Sequence, residues 1–315
     1  MMHNKAIHGF LAALIVGASA VSAQAADDAS CKTIRMSDPN WTDITATNGM
    51  ASVVLTALGY TPDVKTLSVP IGYESMKNGE IDVFLGNWMP AQTKFMDDLN
   101  EHDAVEVLNK NLTGAKFTLA VPEYMAEKGI KDFSDLAAHA DEFDKKIYGI
   151  EPGAPANQSI EKMIGDGKFD LGDWELVESG EQAMLAQVAR EEKAGKGIVF
   201  LAWAPHPMNT QFKIEYLSGG DEYFGADYGG AEVYTLARKG WPEACPNAAK
   251  LFEQITFNID MENELMGMIL DGTSPQDAAT AWLKDNPDTL TPWLDGVTTL
   301  AGEPAEPAAK AALGL

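Results

Sequence analysis

The sequence has few of the residues and motifs on which most enzymes depend. Only two cysteines and five histidines occur among its 315 residues. No G-x-S-x-G, H-E-x-x-H, P-loop, G-x-G-x-x-G or C-x-x-C motif is present. His206 has no evident partner in the sequence around it, which is typical of a structural histidine. We therefore expect a protein that is not an enzyme and that has neither a metal site nor a cofactor.

Basic residues are also scarce. Lysine and arginine together number 23 against 47 aspartates and glutamates, which gives a net charge of −24 at pH 7. A chain this acidic is repelled by nucleic acid and by anionic membrane surfaces, so neither is expected as a partner. Strong negative charge keeps a protein soluble and weakly favours cationic ligands. A solvated acidic surface explains most of the charge equally well.

One pronounced apolar run occurs, and it lies at the start of the chain. Lys5 precedes apolar residues 10–21, and Ala23-Gln24-Ala25 forms an A-x-A cleavage signal. The run is shorter than the roughly 20 residues that a membrane-spanning helix needs. Residues 1–25 therefore predict a signal peptide that is cleaved near Ala25, and a periplasmic protein. A membrane anchor is the less favoured alternative.

Export gives the two cysteines a meaning. Cys31 and Cys245 would reach an oxidising compartment, where thiols pair. Their spacing alone does not establish a bond, because pairing requires the two Cα atoms to lie within about 7 Å of each other. Two buried free thiols remain the alternative at this point.

Strand-like and helix-like segments alternate along the chain, which predicts an α/β architecture with a mainly parallel sheet. The predicted strands are 33–37, 64–69, 81–85, 117–121, 146–150, 198–201 and 233–237. The main predicted helices are 47–58, 73–78, 248–255, 261–271 and 275–286. The last dozen residues, rich in alanine and proline, are expected to fray.

Three of the seven tryptophans follow shortly after predicted strands. Trp41, Trp88 and Trp203 each lie just beyond the carboxyl end of a strand, where open α/β sheets bind their ligands. Converging indole faces form a cage for a cation, above all for a quaternary ammonium group that has no N–H to donate. Simple burial of these side chains is the alternative. Packing roles are expected for the other four, Trp174, Trp241, Trp282 and Trp293.

A carboxylate follows the first of these tryptophans. Asp43, two residues after Trp41, could attract a bound cation or accept a hydrogen bond from a ligand hydroxyl. A turn or N-cap role ahead of the following helix is an equally good reading of this residue.

Several stretches carry a family resemblance. They are SDPNWTDI (37–44), GEIDVFLGNWMP (79–90), GAKFTLAVP (114–122), IYGIEPG (147–153) and VFLAWAPHPMN (199–209). Together they resemble the periplasmic substrate-binding proteins of ABC importers for quaternary ammonium compounds, and within them the choline binders. The resemblance implies the two-lobed periplasmic-binding-protein fold of type II, with a hinge between the lobes.

The resemblance also assigns residues to lobes and to a site. Residues 26–113 and 226–315 would form lobe 1, and residues 114–225 would form lobe 2. The ligand-binding residues that it implies are Trp41, Asp43, Trp88, Phe117 and Trp203. Asp43 would meet the choline hydroxyl, and Cys31 and Cys245 would form the family disulfide.

Two positions depart from the family pattern. Phe117 stands where the choline binder has tyrosine, which keeps the π face but removes a hydroxyl. Ala154 stands where the choline binder has asparagine, and Asn157 is the nearest replacement, so both are candidate ligand contacts. The two changes affect the polar end of the ligand rather than the cage.

The sequence therefore predicts a periplasmic receptor, expected to be monomeric, that binds choline and delivers it to an ABC permease. Glycine betaine or a sulfonium analogue is the alternative ligand. Asp43 disfavours betaines, because it would repel their carboxylate. An exported hydrolase of choline esters or phosphocholine is the alternative from another class, although no nucleophile or metal motif supports it.

Overall fold

A mixed sheet of nine strands runs through the molecule, whose computed structural model describes residues 27–315. The predicted signal peptide lies outside the described residues. The strands are β1 (Thr33–Asp38), β2 (Thr61–Thr66), β3 (Val83–Met89), β4 (Val105–Pro122), β5 (Lys146–Tyr148), β6 (Glu175–Val177), β7 (Phe200–Ala204), β8 (Ile214–Tyr216) and β9 (Gly230–Arg238).

Helices pack around this sheet. They are α1 (Thr42–Ala57), α2 (Val69–Lys77), α3 (Thr93–Glu101), α4 (Glu123–Ala126), α5 (Pro155–Gly165), α6 (Glu181–Ala194), α7 (Met208–Gln211), α8 (Asp221–Phe224), α9 (Ala226–Gly229), α10 (Trp241–Ala244), α11 (Pro246–Gln254), α12 (Ile259–Leu270), α13 (Pro275–Asp285), α14 (Leu290–Trp293) and α15 (Ala305–Leu313). No helix among residues 27–315 has the length and apolar composition needed to cross a membrane.

The strand order is β2-β1-β3-β9-β4-β7-β5-β6, and β8 pairs with β4. Parallel pairs lie towards both edges, whereas β9 and β4 in the middle pair antiparallel with each other and with the strands beside them. The prediction of a mainly parallel sheet is therefore wrong in the centre. The neighbours of β4 and β9 run antiparallel to them, and short sequence patterns do not reveal the direction of a neighbouring strand.

Two long strands connect the two sides of the sheet. β4 pairs with β9 from Val105 to Lys116 and with β7 from Lys116 to Ala120. The β4–β9 register shifts several times before Lys116, so the pairing is irregular where the strand passes from one group of neighbours to the other. The predicted lobe boundaries lie near this passage and stay a prediction.

Close packing brings β3 against α1 at the place where the site forms. Gly86 lies in β3, and a Cβ atom there would come within 2.8 Å of the Ile44 side chain in α1. That distance is shorter than real carbon contacts, so glycine lets the strand approach the helix closely. The approach sets Trp88, near the end of β3, beside the first turn of α1.

Several local predictions are wrong, including the following three. Helix α1 begins at Thr42 rather than at residue 47. Strand β2 spans Thr61–Thr66 rather than 64–69; it is an edge strand with mostly exposed side chains, so apolar pattern does not define its register. The C-terminal residues expected to fray form α15, which buries Ala305 and Ala309.

The disulfide prediction is confirmed, because Cys31 and Cys245 are bonded with their Cα atoms 5.7 Å apart. Trp174, Trp241 and Trp293 are buried as expected for packing residues. Trp282 is partly buried, and its indole N–H donates to Glu264 Oε2 at 2.6 Å.

Candidate functional site

A small and mostly apolar cavity lies where β3, β4 and β7 meet the start of α1. It is lined by Trp41, Asp43, Trp88, Ala91, Gln92, Phe117, Ile150, Pro155, Ala156, Leu201 and Trp203. The cavity volume is about 40 Å³. A ligand enclosed here must therefore be small.

The five residues predicted to bind ligand all line this cavity. Trp41 precedes α1 and Asp43 lies in its first turn, while Trp88 lies in β3. Phe117 in β4 and Trp203 in β7 stand opposite each other in the strand register. The Trp88 and Phe117 rings meet edge to face, with centroids 6.5 Å apart. Three strands and the start of α1 thus bring together four aromatic rings, each at most 8% exposed.

Carboxylates occupy the N–H edges of two of these indoles. Trp41 Nε1 donates to Glu151 Oε1 at 2.8 Å, and Trp88 Nε1 donates to Asp43 Oδ2 at 3.0 Å. With the N–H groups already bonded, what these two indoles offer a ligand is their π faces. Those faces carry negative potential and attract cations.

Asp43 has one acceptor that the protein does not use. The residue is 2% exposed, and its Oδ1 atom has no hydrogen-bond partner among residues 27–315. A buried acceptor without a partner is costly, so it points to a missing donor. Burial, and then repulsion from Glu181, raise the pKa of Asp43 to about 8.

More buried acids surround Asp43. Burial, followed by repulsion from Asp43, raises the pKa of Glu262 well above its ordinary value. Burial also raises the pKa of Glu151 to about 7 and raises that of Asp38. No lysine or arginine within residues 27–315 forms a salt bridge with these acids or with Glu181. The site therefore lacks a positive charge of its own.

Sequence reasoning missed Glu151 and Glu181. Glu151 lies in the IYGIEPG stretch, so its position was visible although its bond to Trp41 was not. Glu181 accepts from the backbone N–H of Thr42 at 2.9 Å. It also faces His206, whose Nε2 lies 3.2 Å from Glu181 Oε1, so this buried histidine has a partner that the sequence around it does not contain.

The two candidate contacts at the polar end do not line the cavity. Ala154 is buried just before α5, and Asn157 is fully buried within it. Asn157 Oδ1 accepts from Ile150 N at 3.0 Å, and Nδ2 donates to the Ile150 and Glu151 carbonyls at 3.0 Å. Its side chain is thus committed to shaping the turn that carries Glu151. Neighbours Pro155 and Ala156 line the cavity instead.

Comparison with known proteins agrees with this geometry. Residues 32–285 match the family model of the substrate-binding domain of ABC-type glycine betaine transport systems. A solved ABC-transporter choline-binding protein in complex with choline is 56% identical with a TM-score of 0.90, over 91% of this chain and all of that one.

Two curated relatives also match. An uncharacterized protein, ORF1, of Chromohalobacter salexigens is 50% identical over 128 residues, which are 41% of this chain and 83% of the relative. A glycine betaine/carnitine transport binding protein of Listeria monocytogenes is 32% identical over 158 residues, or 50% of this chain and 51% of the relative.

Proposed function

The chain belongs to the substrate-binding domains of ABC-type glycine betaine transport systems, and from this premise we propose that it is an exported receptor that binds choline and delivers it to a permease. The periplasmic-binding-protein fold predicted from the sequence is confirmed by the solved relatives. Family members are solute-binding receptors, and we extend that role to this chain as a protein without catalytic activity.

The observation that carries the proposal is the pairing of four aromatic rings with the unused Oδ1 of Asp43. Choline has a trimethylammonium group that cannot donate hydrogen bonds and a hydroxyl group that can. The π faces of the cage attract the trimethylammonium group, and each desolvated contact stabilises the complex by about 2 kcal/mol or more. Asp43 Oδ1 can accept a hydrogen bond from the choline hydroxyl, so both ends of choline have a partner.

The charge balance supports a cationic ligand. The carboxylates around the cavity have no lysine or arginine partner in the described part of the chain. A cation in the cage would stabilise the ionised form of Asp43 by about 1–4 kcal/mol, depending on local screening. Choline would thus supply the counter-charge that the protein omits.

Lobe closure completes the proposal. Trp41, Asp43 and Trp88 belong to proposed lobe 1 (26–113 and 226–315), whereas Phe117 and Trp203 belong to proposed lobe 2 (114–225). Closing the two around a hinge in β4 and β9 would enclose the ligand between them. The closed surface would then dock on the permease, with the receptor acting as a monomer.

Glycine betaine is the second candidate, and one observation favours it. An Asp43 whose pKa is about 8 carries a proton at neutral pH and can donate a hydrogen bond to a ligand carboxylate. The curated Listeria relative is named for glycine betaine and carnitine. Choline remains the first choice, because no residue lining the cavity carries a positive charge.

Isothermal calorimetry with choline, glycine betaine and tetramethylammonium tests the proposal. We expect choline to bind most tightly, since tetramethylammonium lacks the hydroxyl and betaine adds a carboxylate. Tighter betaine binding would make betaine the ligand, and failure of all three to bind would refute the cage. Incubation with acetylcholine should release no choline; release would instead indicate the hydrolase.

A further inference from the structure

Helix α1 begins without a capping side chain of its own. The first N–H groups of a helix need acceptors, which the N-cap side chain usually provides. Here the N-cap residue is Trp41, whose side chain makes no capping bond. The acceptor comes instead from Glu181, 139 positions after Thr42, whose Oε2 accepts the Thr42 N–H at 2.9 Å. Thr42 Oγ1 donates to the other oxygen, Glu181 Oε1.

Glu181 is itself held in place. It is the first residue of α6 and is 3% exposed. His206 Nδ1 accepts the Met208 N–H at 2.9 Å, so Nε2 is the ring nitrogen that carries a hydrogen towards Glu181 Oε1, 3.2 Å away. The His206 ring also packs against the cage residue Trp203, with centroids 5.0 Å apart. One line of contacts thus joins the cage to Glu181 and Thr42.

Three consecutive residues at the start of α1 therefore have three different partners. Trp41 is hydrogen-bonded to Glu151, and Thr42 is hydrogen-bonded to Glu181. Asp43 is hydrogen-bonded to Trp88 beside the cavity. Glu151 and Glu181 both lie within residues 114–225, whereas the start of α1 lies in the other proposed lobe. The bonds of Trp41 and Thr42 can form only when the two sides are together.

We propose that Glu181 is a positioning residue that locks the closed receptor, because it caps α1 from the opposite lobe. This inference rests on the proposed function, since it requires two lobes that close over a ligand. Separation would return Glu181 and the Thr42 N–H to water. The lock therefore acts after the ligand has entered, and it sets the rate of release rather than the rate of entry.

The test compares choline binding to wild type, Thr42→Val and Glu181→Gln by stopped-flow tryptophan fluorescence. Thr42→Val removes one hydrogen bond to a carboxylate, which is stronger than a bond between neutral groups. We expect the dissociation rate constant to rise at least tenfold and the association rate constant to change less than threefold. Glu181→Gln should act in the same direction.

Two control variants separate a lock from a general structural role. Thr45→Val removes the bond from Thr45 Oγ1 to Asp38 Oδ2 at 2.8 Å, a hydroxyl–carboxylate bond on the same helix that stays within one lobe. It should leave the dissociation rate unchanged, and Thr42→Ser should retain the wild-type rate because it keeps the hydroxyl.

Equal effects of Thr42→Val and Thr45→Val, or a loss confined to association, would overturn the lock while leaving the proposed function intact. Failure of the wild type to bind either choline or glycine betaine would refute the proposed function, and the lock with it.

Discussion

Two aspartates of equal burial show how differently one side chain can be used. Asp82 and Asp43 are each 2% exposed. Asp82, just before β3, accepts from Arg35 Nε at 2.8 Å, from Arg35 Nη2 at 2.6 Å and from Arg238 Nε at 2.7 Å. Asp43 receives a single side-chain hydrogen bond, from the Trp88 indole at 3.0 Å.

The pKa values of the two groups shift in opposite directions. Burial alone would raise the pKa of Asp82, but hydrogen bonds from Arg35 and Arg238 hold it below its ordinary value. Nothing comparable offsets burial at Asp43, whose pKa rises to about 8. A buried acid with its counter-charge inside the chain is structural. A buried acid without one, beside an aromatic cavity, is suited to a counter-charge that arrives with a ligand.

The largest expected effect is the loss of stability in Asp82→Asn. The substitution leaves two partly buried arginines without their carboxylate, which costs about 3 kcal/mol or more. Urea unfolding should show this loss, while choline affinity of the folded protein should change less than threefold. Asp63→Asn is the matched control, because Asp63 makes only an exposed pair with Lys65 at 3.8 Å and should cost under about 0.5 kcal/mol.

The next effect is on binding, in Asp43→Asn. We expect choline to bind about 10–100-fold more weakly, because the neutral amide loses an attraction of about 1–4 kcal/mol. The unfolding free energy at pH 8 should stay level or rise, since a poorly solvated acid is removed. Calorimetry and urea unfolding measure the two quantities. A stability loss like that of Asp82→Asn would show that the two aspartates do not differ in role.

A smaller effect on affinity is expected from Trp88→Phe. The ring keeps a π face but loses the N–H that donates to Asp43 Oδ2, so choline should bind about fivefold more weakly, in line with about 1 kcal/mol for one hydrogen bond. Titration by calorimetry measures the change. Trp241→Phe is the control, since Trp241 packs against Phe252 away from the cavity. Equal losses in both variants would argue against a specific role for the Trp88 N–H.

The last expected effect is a pH dependence of the melting temperature. The pKa values of Asp43 and Glu151, about 8 and about 7, exceed those of unfolded carboxyl groups near 4. The folded protein therefore binds more protons between pH 4 and 8. This contribution to stability is present at acidic pH and is lost as pH rises towards 8.

Choline should reverse part of that trend. A bound cation favours the ionised carboxylates, so binding near pH 7 should release protons, and choline affinity should rise with pH until it levels off above about 8. Calorimetry in two buffers of different ionisation enthalpy measures the released protons. Glycine betaine, if Asp43 donates to it, should instead bind more weakly as pH rises. Proton uptake with choline would contradict the assignment of Asp43 as the group that meets the cation.

The sequence was sufficient to single out the aromatic residues that line the cavity, because most of them are recognisable from local position. Trp88 and Trp203 closely follow the apolar runs that predict strands. The prediction that they lie beyond the strand ends is wrong, because β3 and β7 include them, and each lies opposite a residue of an antiparallel neighbour. The family resemblance added Phe117, which a residue pattern alone would assign to the core. The centre of the sheet was beyond such reasoning, since the direction of β4 and β9 depends on pairings far apart in the chain.

The error in the start of α1 and the failure to find Glu181 have one cause. A helix start is normally visible as a Ser, Thr, Asp or Asn that caps its own helix. Here the position is filled by Trp41, and the cap comes from a residue 139 positions after Thr42. No local pattern can reveal such a cap. Asn157 was misread for the opposite reason. Its side chain lies near the site but makes its hydrogen bonds with the backbone of Ile150, which the sequence does not show.

The disulfide has a consequence for protein engineering. Cys31 and Cys245 both lie outside residues 114–225, so no disulfide links that segment to the rest of the protein. The chain enters the segment within β4 and leaves it just before β9. Exchanging residues 114–225 with the matching segment of a relative would replace Phe117, Glu151, Glu181 and Trp203 together. Such chimaeras would combine cavity-lining residues from two proteins, while the part of the chain that carries the disulfide stays the same.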